Sequence, residues 1–150
     1  MNVQHGSLDS SSGWHETQVE IRYGETDQMG FAHHSVAVSW CELGRVVWMR
    51  EHGLSYSEVE RSGLLMPVVK MTLTYHAPGR FEDRLAIQTR LCELGRAKVA
   101  FENRIVRIHQ DTPRVLLAEA RVDLACVDRA GKIQRIPEPW RALFEKYLAK

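Results

Sequence analysis

Residues Tyr23 to His52 read Tyr23-Gly24-Glu25-Thr26-Asp27-Gln28-Met29-Gly30-Phe31-Ala32-His33-His34-Ser35-Val36-Ala37-Val38-Ser39-Trp40-Cys41-Glu42-Leu43-Gly44-Arg45-Val46-Val47-Trp48-Met49-Arg50-Glu51-His52. A polar loop carrying Asp27 runs directly into an apolar-striped segment. Val36, Trp40, Leu43 and Val47 fall at i, i+4, i+7 and i+11, one stripe of an α-helix. Ala37, Cys41, Gly44 and Trp48 make a second stripe beside it. The combined arc is wide, which predicts a helix from Ser35 to His52 buried on most of its sides. Ser35 suits its N-cap and Gly53 its C-terminal stop. Gly44 costs about 1 kcal/mol inside a helix relative to Ala. Its presence calls for close backbone approach, as where a strand crosses the helix.

Around this helix the chain reads as strands. Val19, Ile21 and Tyr23 alternate with polar residues, a short strand ended by Gly24. Tyr56 to Ser62 suits one or two further helical turns. Val69, Met71, Leu73 and Tyr75 alternate until Pro78-Gly79, and Leu85, Ile87, Thr89 and Leu91 alternate after it. Gly95 sits in a short connection, so the next run, Lys98 to His109, pairs back as a hairpin. Its alternation is imperfect, and a bulge or a change of exposure near Asn103 accounts for that. Asp111-Thr112-Pro113 reads as a turn, Leu116 to Cys126 as a long strand, and Pro137 to Leu148 as a closing amphipathic helix. Short connections dictate antiparallel pairing. The fold class is therefore α+β, a curved antiparallel sheet around one long helix. Open sheet edges favour pairing with a second copy, so a homodimer is expected.

A chain of 150 residues makes one domain most simply. Residues 1–16 read as a mobile tail and 17–150 as the domain. With 20 Lys and Arg against 19 Asp and Glu, the net charge of +1 offers no bulk attraction to nucleic acid or an anionic membrane. No run approaches the roughly 18 consecutive apolar residues of a membrane helix, and the first residues lack the apolar core of a secretory signal. Cys41, Cys92 and Cys126 are far apart and fit buried, reduced thiols, which suits the cytoplasm.

Asp27 is the leading candidate for chemistry. One role is an Asx-turn in the Thr26–Gly30 loop. The other follows from its place ahead of a helix N-terminus, whose unpaired N–H groups can hold a carbonyl oxygen gaining charge. A carboxylate facing that carbonyl acts as nucleophile or general base, which points to ester or thioester hydrolysis. His33 and His34 are adjacent, point apart and lack a third ligand at zinc spacing, so no metal is expected. A triad of Asp27, His34 and Ser35 is disfavoured because neighbours at a helix start seldom face one another. His76 and His109 read as structural or solvated. Arg96, Lys98, Arg80 and Arg84 flank turns, where they are solvated charges or phosphate contacts at the mouth of a site.

Ile21-Arg22-Tyr23-Gly24-Glu25-Thr26-Asp27-Gln28-Met29-Gly30 resembles the N-terminal motif of the 4-hydroxybenzoyl-CoA thioesterase family, in particular its bacterial short-to-medium acyl-CoA branch with Tol-Pal-associated members. The similarity continues through Glu42, Arg45, Gly53-Leu54-Ser55-Tyr56, Met66-Pro67-Val68-Val69, Tyr75-His76-Ala77-Pro78-Gly79-Arg80 and Asp83. The resemblance implies a hotdog fold and an acyl-CoA thioesterase working as a dimer, commonly a tetramer, with sites at the subunit interface. It implies no metal or cofactor. Asp27 matches the catalytic Asp, and the His34 backbone N–H falls where the thioester oxygen is held. Gly30, His33 and Ser35 would flank the substrate, and Arg96 and Lys98 lie near positions that contact CoA phosphates. The chain departs from the family at His33, usually an aromatic, and at Ala37, frequently Tyr. That alters the acyl pocket rather than the reaction. The competing expectations are a non-catalytic acyl-CoA-binding module and a hotdog dehydratase acting on 3-hydroxyacyl thioesters, which Asp27 three residues before Gly30 suits less well.

Overall fold

The computed structural model describes residues 8–9 and 13–150. Strand β1 is Leu8–Asp9 and β2 is Trp14–Glu20; helix α1 is Val36–Glu51 and α2 is Tyr56–Arg61. Then follow β3 (Leu64–Leu65), β4 (Val68–Tyr75), β5 (Arg84–Leu94), β6 (Lys98–His109), β7 (Thr112–Ala125), β8 (Val127–Asp128) and α3 (Glu138–Tyr147). Among the described residues six strands form one antiparallel sheet in the order β1-β2-β5-β6-β7-β4, and β3 pairs with β8. The sheet curves around α1, the hotdog arrangement expected from the sequence.

Helix α1 matches its periodicity to within a residue at each end. Ala37, Trp40, Cys41, Val47, Trp48 and Met49 are buried, while Val38, Ser39 and Glu42 keep one stripe open. Gly44 serves the close approach its position calls for. A Cβ there would lie 2.5 Å from Thr89 Oγ1 and 2.9 Å from Ile87 Cγ2. Beneath it runs a polar row: His15 pairs in register with Thr89, and Thr89 with Asn103. All three are buried, and Asn103 Nδ2 donates to Thr89 Oγ1 at 2.8 Å. Arg45, also buried, ties α1 to α2 by donating Nε–H to the Tyr56 hydroxyl at 2.9 Å.

Several expectations change. The strand expected from Val19 is β2 and begins at Trp14, because its inward positions include the polar His15 and Thr17, which hide the alternation. Residues 8–9 and 14–16 of the expected tail thus belong to the sheet, while residues 1–7 and 10–12 lie outside the described residues. Tyr23 is not a strand residue. It starts a 3₁₀ turn, Tyr23–Glu25, held by Glu25, whose carboxylate accepts from the Arg22 N–H at 2.8 Å and from its guanidinium. Pro113 lies inside β7, and the turn before it is Gln110-Asp111. Asn103 stands in regular register. The β6–β7 register shifts twice, between Ile105 and Val106 and between Arg107 and His109; at the first, Ile105 faces Ala118 and Val106 faces Leu116, so Leu117 on β7 has no opposite residue. A bulge re-aims a side chain. Here the Leu117 carbonyl accepts from the N–H groups of His76 (2.8 Å) and Ala77 (3.2 Å).

At the C-terminal end of α1, Trp48 stacks on His52 at 4.1 Å, and Tyr147 of α3 meets His52 edge-on at 4.3 Å. Burial lowers the His52 pKa, outweighing the hydrogen bond to the Trp48 carbonyl that raises it. The unfolded chain, titrating near 6.5, therefore takes up this proton at a higher pH than the folded one. The contribution of His52 is complete above about pH 6.5 and is lost as pH falls towards its depressed folded value. His52→Asn keeps a donor for the Trp48 carbonyl and removes the titration, so its melting temperature will fall less than that of the native chain between pH 7.5 and pH 5, other things equal. Gly44→Ala gains helix propensity but overpacks Thr89, whose oxygen is committed to Asn103. A net loss of about 1–2 kcal/mol follows, read as a drop of about 2–8 °C in a thermal melt.

Candidate active site

The loop before α1 is built by its own backbone. Gly30 takes φ +78, a conformation costly for any residue with a Cβ. The resulting turn brings the Met29 and Phe31 N–H groups to Asp27 Oδ1, at 2.9 and 3.3 Å. The backbone closes it further, with Asp27 N–H to Phe31 O at 2.8 Å and Gly30 N–H to Asp27 O at 3.0 Å. Asp27 therefore makes the Asx-turn with one oxygen, and among the described residues its other oxygen has no partner. The loop docks on the segment after β4: Ala32 N–H donates to Gly79 O at 2.8 Å, and Arg80 lies over the Phe31 ring at 4.8 Å.

His33 and His34 follow. His33 N–H donates to Glu25 O at 2.7 Å, and the His33 carbonyl accepts from Val36 N–H at 3.0 Å. Among the described residues nothing accepts from the His34 N–H. Ser35 precedes α1 but makes no side-chain cap. Its hydroxyl lies 2.7 Å from His33 Nδ1, which also accepts its N–H at 3.2 Å. These residues face each other because they precede the helix rather than belong to it, and it is His33, not His34, that reaches Ser35.

A cleft of about 390 Å³ opens here, lined by Asp27, His33 and His34, with Trp40, Ile105 and Leu117 among its apolar walls. Ala37 also lines it, and its small side chain leaves space inside. Gly30 and Ser35 stay off the lining and shape the loop. Arg96 and Lys98 are not brought to it. They sit at the β5–β6 turn, whereas the cleft reaches β6 at Ile105, about 23 Å further along the strand. Lys98 is paired with Glu93 at 3.0 Å instead. Within one protomer these cations lie outside the cleft, because hairpin connectivity puts that turn at the far end of the sheet.

Tyr75 and His76, from the end of β4, complete the wall. The Tyr75 hydroxyl donates to the His34 carbonyl at 2.6 Å, and His76 Nε2 lies 3.0 Å from Glu119 Oε2. Neither role is readable from local sequence, since each partner is some forty residues away. The only advance signal was the motif in which the two residues stand. Burial pushes the Cys41 thiol up to about 12, which leaves no thiolate at neutral pH. Burial also raises Cys92 and Cys126. Among the described residues no three His, Cys, Asp or Glu side chains gather as a metal site, and no helix is long and apolar enough to cross a membrane.

Residues 21–144 match the family model of the thioesterase-like superfamily. The chain belongs to the thioesterase-like superfamily. The acyl-CoA thioester hydrolase YbgC of Escherichia coli O157:H7 is 34% identical over 110 residues, 73% of this chain and 79% of that protein. The acyl-acyl carrier protein thioesterase ATL2 of Arabidopsis thaliana is 28% identical over 132 residues, 88% of this chain and 69% of that one. Among solved structures, a hypothetical protein, TT1821, from Thermus thermophilus superposes with a TM-score of 0.81 at 37% identity, covering 90% of this chain and 98% of the other. Membership of the thioesterase-like superfamily gives the carboxylate, the open helix start and the apolar cleft a common context.

The two oxygens of Asp27 can be separated by substitution. Asp27→Ala removes the acceptor of two loop N–H groups and will cost about 1–2 kcal/mol in chemical denaturation. Asp27→Asn retains an acceptor oxygen and will unfold at the same denaturant concentration as the native chain.

Proposed function

We propose that this protein is a cytoplasmic acyl-CoA thioesterase, releasing free acid and CoA from short-to-medium or aromatic acyl thioesters. The observation that carries the reading is one cleft holding a carboxylate oxygen of Asp27 and an N–H at His34 that have no partner among the described residues. In the reaction the thioester carbonyl oxygen accepts from the His34 N–H, which stabilises the charge it gains as the carbon becomes tetrahedral. Asp27 attacks that carbon directly, or takes a proton from the water that does. The C–S bond then breaks and the thiolate leaves and is protonated. In the direct route, water cleaves the mixed anhydride formed on Asp27.

The acyl group lies along Ala37, Trp40, Ile105, Leu117 and Ala118. Its class is supported by this apolar lining, and the carrier by the acyl-CoA thioester hydrolases among the relatives. The ordered motif series supports the 4-hydroxybenzoyl-CoA thioesterase family and its Tol-Pal-associated branch in particular. Assembly as a homodimer, and from it a tetramer, is supported by β4, an edge strand with Val68, Val69 and Tyr75 exposed. His33 would flank the substrate from the cleft lining, with Gly30 and Ser35 behind it, whereas Arg96 and Lys98 would meet CoA phosphates only at a site of a second copy. The domain is taken as residues 17–150, extended by the start of β2.

The test is thiol release from a panel of straight-chain and aromatic acyl-CoAs. The native protein will turn over at least one of them, and Asp27→Asn will lose roughly 10²-fold or more in kcat, in line with loss of a general base or nucleophile. Equal rates for the two proteins would remove Asp27 from the mechanism. Tight binding without thiol release would mark a non-catalytic acyl-CoA-binding module instead.

A further inference from the structure

We propose that Tyr75 is a positioning residue, which holds the His34 carbonyl away from the helix and so keeps the His34 N–H directed at the substrate. The inference rests on the thioesterase reading of this cleft. In a regular helix the His34 carbonyl would accept from the Val38 N–H, four residues on. Instead the Val38 N–H bonds to Ser35 O at 3.2 Å, and the His34 carbonyl accepts the Tyr75 phenol at 2.6 Å. The diversion starts α1 at Val36 and leaves His34 just outside it.

The peptide that carries the His34 N–H is thereby fixed on every side. Its own carbonyl, that of His33, accepts from Val36 N–H at 3.0 Å. The peptide before it is tied by His33 N–H to Glu25 O at 2.7 Å, and the peptide after it by Tyr75. The first two ties are made within the loop and helix start. Tyr75 supplies the tie to the sheet, because it ends β4, whose register with β7 sets Tyr75 opposite Ala118 at the cleft floor. A preorganised donor loses no energy in reorienting as charge develops, whereas a loose one does. Partial burial raises the phenol's pKa, so the hydroxyl remains a donor through neutral pH and above.

Tyr75→Phe removes the hydroxyl and keeps the ring. We expect kcat to fall roughly ten- to hundredfold with KM within about twofold, the signature of an interaction exploited in the transition state. The melting temperature will stay close to that of the native chain. In uniformly ¹⁵N-labelled protein the His34 amide signal will shift and its hydrogen exchange will quicken. Three results overturn the proposal: kcat equal to the native value, KM rising with kcat unchanged, or a His34 amide identical in both proteins. If Asp27→Asn is inactive while Tyr75→Phe matches the native enzyme, positioning by Tyr75 fails and the thioesterase reading stands. If the native protein releases no thiol from any acyl-CoA, the thioesterase reading fails, and the His34 amide alone decides whether Tyr75 holds that peptide.

Discussion

Helix α1 can lie as low on the sheet as it does because residue 44 has no side chain. A Cβ at that point would enter the space of Thr89 Oγ1 and Ile87 Cγ2, so the height of the helix is set by backbone meeting side chain. That height carries consequences at both ends. At one end the helix start comes level with the Asp27 loop and the floor of the cleft. At the other, Trp48 reaches Phe101 and, with His52, forms the surface on which Tyr147 packs. A helix held further out would leave the cleft deeper and detach α3. The sheet pays for the contact with a polar row, His15, Thr89 and Asn103, buried where apolar side chains would be cheaper.

The site shows how a structural role and a chemical one share a residue. An Asx-turn and a catalytic carboxylate are often treated as competing explanations of an aspartate ahead of a helix. In Asp27 the turn uses Oδ1 and leaves Oδ2 without a partner among the described residues, and the turn itself holds the carboxylate still. The loop is in turn pinned to the segment after β4 through Gly79, where a Cβ would meet Ile21 Cδ1 at 2.6 Å. Two glycines thus do different work within one site: Gly30 supplies a left-handed turn, and Gly79 supplies room.

The bulge at Leu117 connects the sheet to the chemistry. The β4–β7 ladder, which sets Tyr75 opposite Ala118, carries on past the end of β4, so the Leu117 carbonyl accepts from His76 and Ala77. The observed register gives their N–H groups one carbonyl and turns the chain away from β4 towards Pro78 and Gly79. Tyr75 and His76, the last residue of β4 and the one after it, are left on the cleft wall.

Much of this was readable from the chain. The stripe from Val36 to Trp48, the alternation in β4, β5 and β7, the loop ahead of the helix and the need for close approach at Gly44 are local properties. Periodicity and backbone sterics act over a few residues, so the sequence by itself determines them. Where polar residues face inward, as at His15 and Thr17, the same signal disappears and the strand is read too short. The rest depended on register and connectivity, which act across the whole chain. Tertiary structure decided that Tyr75 meets His34, that Leu117 bulges into the cleft, and that His33 pairs with Ser35. It also decided that Arg96 and Lys98 lie at the opposite end of the strand from the site. A side chain's period says which face it takes; only the pairing of distant strands says which end of that face it shares, and with what.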